Sequence, residues 1–266
     1  MPRKDPRMRW ADFRREVIDP MQPGEHACMI GPTGFGKSTL GFHLIRNRPY
    51  VVVLDAKGGD STIDHMGFEV VHEWPLRDEG RRIDSGQPIR VILRPVSFGR
   101  SRLDEAHELF SECIERCLQA KKWTIYIDEL RLTSDGRTID LAPEVEVGYM
   151  TGRGRGVSFV SATQSPVHVP GASRDQSMHQ FHWPLTDRYR ARRQAEIMGL
   201  NLDDFLSMTG GMREHEVMYF HAPRTIAIVK PPKVTPPKVV AAPPDDGGDD
   251  KPEDPRKGKV KEKLWG

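Results

Sequence analysis

The sequence is poor in cysteine, has no long hydrophobic run and carries almost no net charge, and each shortage excludes something. Three cysteines, Cys28, Cys113 and Cys117, offer no disulfide framework. Cys113 and Cys117 stand four apart in a helix-like stretch and read as small buried hydrophobes rather than metal ligands. No apolar run approaches the ~18 residues that cross a bilayer. The leading segment MPRKDPRMRW has charge but no apolar stretch behind it, so it is not a secretory signal. A cytoplasmic location is expected. The net charge of +2 gives no bulk attraction to nucleic acid, although arginines can still be concentrated where phosphates pass. Two stretches do this. Residues 1–15 hold Arg3, Lys4, Arg7, Arg9, Arg14 and Arg15 against Asp5 and Asp12, and residues 186–194, TDRYRARRQ, hold four arginines against one aspartate. A solvated helix face is the plain alternative for either.

What is present reads as one α/β domain with flanking segments. Strand-like runs HACMI (26–30), YVVVLD (50–55), IRVIL (89–93), WTIYID (123–128) and VSFVSAT (157–163) are short and rich in Val and Ile. Near-continuous apolar runs of this length suit a parallel sheet covered on both faces. Between them, residues 103–120 space Leu103, Ala106, Phe110, Cys113 and Cys117 as a helix does. EVMYF (216–220) and TIAIV (225–229) read as a closing hairpin. The composition changes near residue 230, beyond which fall eight of the 22 prolines. The expected organisation is a basic arm over 1–19, an ATPase domain over 20–230 and a disordered tail over 231–266. In that tail, Leu264 and Trp265 form a candidate docking peptide.

The chemistry begins at Gly31-Pro32-Thr33-Gly34-Phe35-Gly36-Lys37-Ser38, a complete G-x-x-x-x-G-K-[ST] match followed by Thr39. A strand-like run precedes it and a helix-like run follows, as a phosphate-cradling loop requires. Its glycines let backbone N–H groups turn toward phosphate oxygens, Lys37 can reach the β- and γ-phosphates of ATP, and Ser38 can ligate Mg2+. Asp128 and Glu129 close the run WTIYID and so stand where a buried strand ends, at the edge that faces the ligand crevice in open α/β sheets. Asp128 is the second candidate for Mg2+, and Glu129 the candidate to polarise the attacking water. Gln164, in SATQSP after another strand, can touch both the γ-phosphate and that water. Arg153 and Arg155, in TGRGRG, read as a glycine-flanked turn that can offer a cation to phosphate, in trans if the chain assembles. Solvated surface arginines are the alternative.

Together these residues resemble the FtsK/HerA superfamily of DNA-pumping ATPases, most of all the genome-packaging ATPases of viruses and phages. The resemblance runs from about Gly24 to Val229 and includes VVLDAKGGD (52–60), similar to a "DPKG" segment in which Ala56 replaces proline. It implies a RecA-like P-loop NTPase fold of the ASCE type, a homo-oligomeric ring of six or five subunits, and ATP-driven movement of double-stranded DNA. It also implies a portal, capsid or membrane protein as docking partner for the tail, and a place in the host cytoplasm or at a virion vertex. No membrane span and no all-α domain of the conjugative coupling proteins are expected, and no ABC-type LSGGQ signature appears. Three alternatives stay open: a virion-assembly or secretion ATPase acting on protein, a conjugative-type DNA transfer ATPase, and a nucleotide-gated adaptor that does not turn over.

Overall fold

The β-branched runs form the middle of a nine-stranded sheet. A computed structural model describes residues 6–97, 99–221 and 225–234; Leu264, Trp265 and most of the expected tail lie outside them. The strands are β1 (His26–Ile30), β2 (Tyr50–Leu54), β3 (Glu69–Val71), β4 (Ile89–Leu93), β5 (Thr124–Ile127), β6 (Ser158–Thr163), β7 (Ser177–His182), β8 (Val217–His221) and β9 (Thr225–Val229). Their order is β3-β4-β2-β5-β6-β1-β7-β8-β9. Pairing is parallel from β3 through β7 and antiparallel from β7 to β9. The helices are α1 (Trp10–Phe13), α2 (Lys37–Ile45), α3 (Ser61–Asp64), α4 (Glu79–Asp84), α5 (Ser101–Ala120), α6 (Leu130–Ser134), α7 (Ala142–Arg155), α8 (Ala172–Asp175), α9 (Arg188–Ile197) and α10 (Leu202–Gly210).

Strand β2 shows why both faces need helices. Val52 and Leu54 point into one apolar layer with Phe110, Cys113 and Cys117 of α5 and Tyr149 of α7. Val51 and Val53 point the other way, into a layer with Leu40 and Leu44 of α2 and Phe13 of α1. A strand apolar on alternate and intervening positions can be buried only between two helical layers. A third layer packs α9 and α10 on the closing hairpin through Ala191, Phe205 and Met218. Cys113 and Cys117 are free and buried. No helix among the described residues is long and apolar enough to cross a membrane.

Three expectations change, and two strands appear that were not expected. The arm expected over 1–19 is part of the domain from residue 6 on: Met8 donates to the Ile228 carbonyl at 2.9 Å, and Phe13 is fully buried. Three of its described arginines make surface ion pairs, Arg9 and Arg15 sharing Asp12 and Arg14 meeting Asp19. At the other end the boundary moves past 230, because the Pro232 carbonyl meets His43 Nε2 at 2.9 Å. Strands β3 and β7 lack the apolar signature used above; β7 is SMHQFH, a buried strand of mostly polar residues. Lastly, TGRGRG is not a turn but the end of helix α7, which only Gly156 terminates, at φ +69°. Gly152 serves packing, since a Cβ there would lie 2.8 Å from the Val157 carbonyl, as does Gly148 one turn earlier, where a Cβ would lie 2.4 Å from the Phe159 ring; Gly154 has open space around it.

Polar residues buried in β1 and β7 make the fold acid-sensitive. His26 Nδ1 accepts the Phe159 backbone N–H at 2.9 Å, so the ring must be neutral there. Burial, with Arg153 nearby, pulls its pKa down from 6.5 to about 4, and burial pulls the fully enclosed His182 to about 3. Both groups bind fewer protons folded than unfolded, so their stabilisation is complete above pH 6.5 and is lost as pH falls below it. At up to about 1.4 kcal/mol per group per pH unit, the pair should cost about 3 kcal/mol between pH 6.5 and pH 5. Urea midpoints at the two pH values should show this drop, and His26→Gln should reduce it.

Candidate active site

Strand β1 delivers the chain to Gly31 at the carboxyl edge of the sheet. There Gly34 and Gly36 take φ of +82° and +97°, conformations an L side chain resists. The tight loop ends where α2 begins at Lys37, with Gly36 as an N-cap that contributes no side chain. The first N–H groups of α2 are therefore not consumed by a capping side chain, and the helix dipole adds to their attraction for anions. Gly31 has a further duty, since a Cβ there would lie 2.6 Å from Trp183 Cβ. Lys37 Nζ donates to the carbonyls of Gly31 and Pro32, each at 2.9 Å. Burial pulls its pKa below the ordinary lysine value, and the Glu129 and Asp128 carboxylates oppose that pull.

Strand β5 ends beside this loop, one strand removed, because β6 lies between β5 and β1. That order sets Asp128 and Glu129 on one side and Gln164 between them and the loop. Ser38 Oγ donates to Asp128 Oδ1 at 2.9 Å, and Tyr126 Oη donates to the same oxygen at 3.0 Å. Tyr126 gains that position through Gly41, where a Cβ would lie 2.7 Å from its hydroxyl. Gln164 Nε2 donates to Glu129 Oε2 at 3.0 Å. Glu129 Oε1 is buried and accepts no hydrogen bond from the described residues. Both acids are buried, and one ammonium serves them: Lys57 Nζ lies 3.3 Å from Asp128 Oδ2 and 3.7 Å from Glu129 Oε2. Such a pair at ~4 Å is worth roughly 4 kcal/mol at an effective dielectric of 20, and less here because the lysine is part-exposed.

These groups line a cavity of about 1170 Å³ together with Thr33, Phe35 and Thr39. Ordinary ligand pockets run to roughly 300–1,000 Å³, so a nucleotide with its metal and waters fits. The donor chemistry suits Mg2+ in particular: Ser38 and Asp128 offer hard oxygens side by side. That ion keeps several waters and takes one or two protein oxygens plus phosphate. Among the described residues no cluster of three or more His, Cys, Asp or Glu could hold a metal alone, and this mode of binding does not need one. Bound there, Mg2+ would neutralise phosphate charge.

The structure thus gathers Lys37, Ser38, Asp128, Glu129 and Gln164 around one cavity. Arg153 and Arg155 are elsewhere. The Arg155 carbonyl accepts from Lys122 N just ahead of β5, and the Arg153 carbonyl lies against Gly24 just ahead of β1. Both therefore sit at the amino-terminal edge of the sheet, separated from the cavity by the length of a strand, roughly 15–20 Å at about 3.3 Å per residue. Sequence reasoning missed Tyr126, Lys57 and the segment Lys230–Val234, all at the site. Lys57 stood in view within VVLDAKGGD; nothing local revealed the segment after β9.

No family model matches the sequence, and no curated protein matches it. Solved structures do. The DNA-packaging ATPase B204 from Sulfolobus turreted icosahedral virus is similar over 80% of this chain and 100% of its own, at 15% identity and a TM-score of 0.56. The genome packaging NTPase B204 from Sulfolobus turreted icosahedral virus 2, in complex with ATP-gammaS, gives 80%, 100%, 12% and 0.52. The cytoplasmic domain of the type VII secretion ATPase EccC from Thermomonospora curvata is similar over 81% of this chain but 26% of its own, at 19% identity and a TM-score of 0.53. At such identities the likeness is one of fold: this chain has the mostly parallel, helix-flanked P-loop ATPase fold that those proteins share.

Proposed function

We propose that this chain hydrolyses ATP with Mg2+ and, as a homo-oligomeric ring, drives double-stranded DNA, in the manner of a viral genome-packaging motor. One observation carries the catalytic part: the connected set Ser38–Asp128 and Glu129–Gln164 facing a glycine loop and Lys37 across one cavity. In this reading Lys37 and the loop N–H groups bind the phosphates, and Ser38 and Asp128 hold Mg2+. Glu129 takes the proton of the attacking water while Gln164 fixes its orientation. A nucleotide kinase has no need of Glu129 in this place, so its presence favours hydrolysis.

The DNA part is supported by the fold shared with packaging ATPases and by helix α9. There Arg188, Arg190 and Arg192 have no ion pair among the described residues, and Tyr189 is 70% exposed. Arg9, Arg14 and Arg15 near the amino terminus each have an acidic partner. A secretion ATPase acting on protein is the second reading, favoured by the likeness to EccC. Turnover that responds to duplex DNA separates the two, and mass measurement with an ATP analogue tests the ring.

Lys37→Ala gives a first check on the nucleotide site. It removes charge-assisted hydrogen bonds worth about 1.5–3 kcal/mol, so Mg-ATP affinity should fall roughly 10–150-fold, as read by calorimetry.

A further inference from the structure

Two buried acids side by side demand a cation before any ligand arrives, and among the described residues one lysine pairs with both. Lys37 is engaged with the carbonyls of Gly31 and Pro32, which leaves Lys57 on the acids. Its loop is fixed around it. Arg94 and the Gly58 backbone N–H hold the Asp55 carboxylate at 2.7 and 2.9 Å, and Arg102 Nε holds the Ala56 carbonyl at 2.9 Å. The backbone is thus a rigid platform, whereas the Lys57 side chain is 40% exposed and borders the cavity. A flexible four-carbon stem with a compact charge can change partners without moving that platform.

We propose that Lys57 is a placeholder cation. Without nucleotide it occupies Asp128 Oδ2 and Glu129 Oε2; when Mg-ATP enters, it gives up the acids and follows the phosphate charge. That exchange keeps the site from loading a metal before the nucleotide, and it releases Glu129 only when there is a phosphate to attack. Lys57 is a positioning residue on this view, and its role rests on the nucleotide-binding reading of the cavity.

Manganese binding to the full, nucleotide-free chain, followed by electron paramagnetic resonance, tests this directly. Lys57→Met and Lys57→Gln should each bind Mn2+ about tenfold tighter than the parent, since one competing charge has left the acids. Lys57→Arg, which keeps the charge, should not. Adding Asp128→Asn to Lys57→Met should abolish the gain, and Mg-ATP hydrolysis by Lys57→Met should fall about tenfold or more. Unchanged Mn2+ affinity in folded Lys57→Met and Lys57→Gln would overturn the proposal. Failure of the parent to bind Mg-ATP would instead overturn the nucleotide-site reading, leaving the Mn2+ comparison to stand or fall by itself.

Discussion

Glu129→Gln should bind Mg-ATP nearly as the parent does and hydrolyse it roughly 10²–10⁴ times more slowly, the range that a positioned general base contributes. The reasoning is local. Glu129 Oε2 is already committed to Gln164, whereas Oε1 is buried with no donor among the described residues. An amide keeps the size and the cap position of α6 but cannot accept a proton at neutral pH. Phosphate binding is assigned to Lys37, Ser38 and the loop, none of which the substitution touches. Equilibrium binding of a fluorescent ATP analogue and single-turnover hydrolysis separate the two effects. Hydrolysis within a few-fold of the parent would remove Glu129 from the role of base.

Arg153→Ala combined with Arg155→Ala should lower turnover roughly 10³–10⁵-fold if these residues act as fingers on a neighbour's phosphate. Within one chain they cannot reach: they lie at the amino-terminal edge of the sheet and the cavity at the carboxyl edge. A ring contact is heterologous and joins unlike surfaces of successive subunits, so residues remote from their own site can meet the next one. Both side chains are exposed on the last turn of α7, and that turn cannot be the flexible loop its glycines suggest. The competing source is α9, tied beside the loop by Gln194 Nε2 donating to the Ile30 carbonyl at 3.3 Å. Mixing decides. In rings of Glu129→Gln and the double-arginine variant, a subunit with intact Glu129 can receive a finger from its Glu129→Gln neighbour, so activity should return. No recovery in rings shown to be mixed would sink the trans role.

The legible parts of this molecule are those whose physics is local. A short run dominated by apolar residues on both faces announces a sheet covered on both sides, and β1, β2, β4, β5 and β6 were readable for that reason. The phosphate loop was readable because its glycines, lysine and serine must stand at fixed spacing. Strand β7 hid because tertiary burial, not propensity, makes SMHQFH a strand: His179 is held by Glu25 and Tyr219, and Gln180 Nε2 by backbone carbonyls. TGRGRG misled in the opposite direction. Glycines usually mark turns, yet Gly148 and Gly152 are small so that α7 can press against β6. Lys57 and Tyr126 depend on contacts 71 residues distant in one case and two in the other. In neither does spacing alone reveal that both serve Asp128. The segment after β9 was assigned to the tail by its prolines, yet it packs onto the domain at His43 and lines the cavity.

Steady-state ATP hydrolysis by the full chain, with Mg2+ and with or without duplex DNA, bears most directly on the proposed motor. The account expects measurable turnover that rises several-fold on adding duplex DNA and falls by roughly a hundredfold or more in Glu129→Gln. Turnover indifferent to DNA would contradict the DNA motor and favour a protein cargo, and no turnover in assembled rings would contradict the ATPase itself.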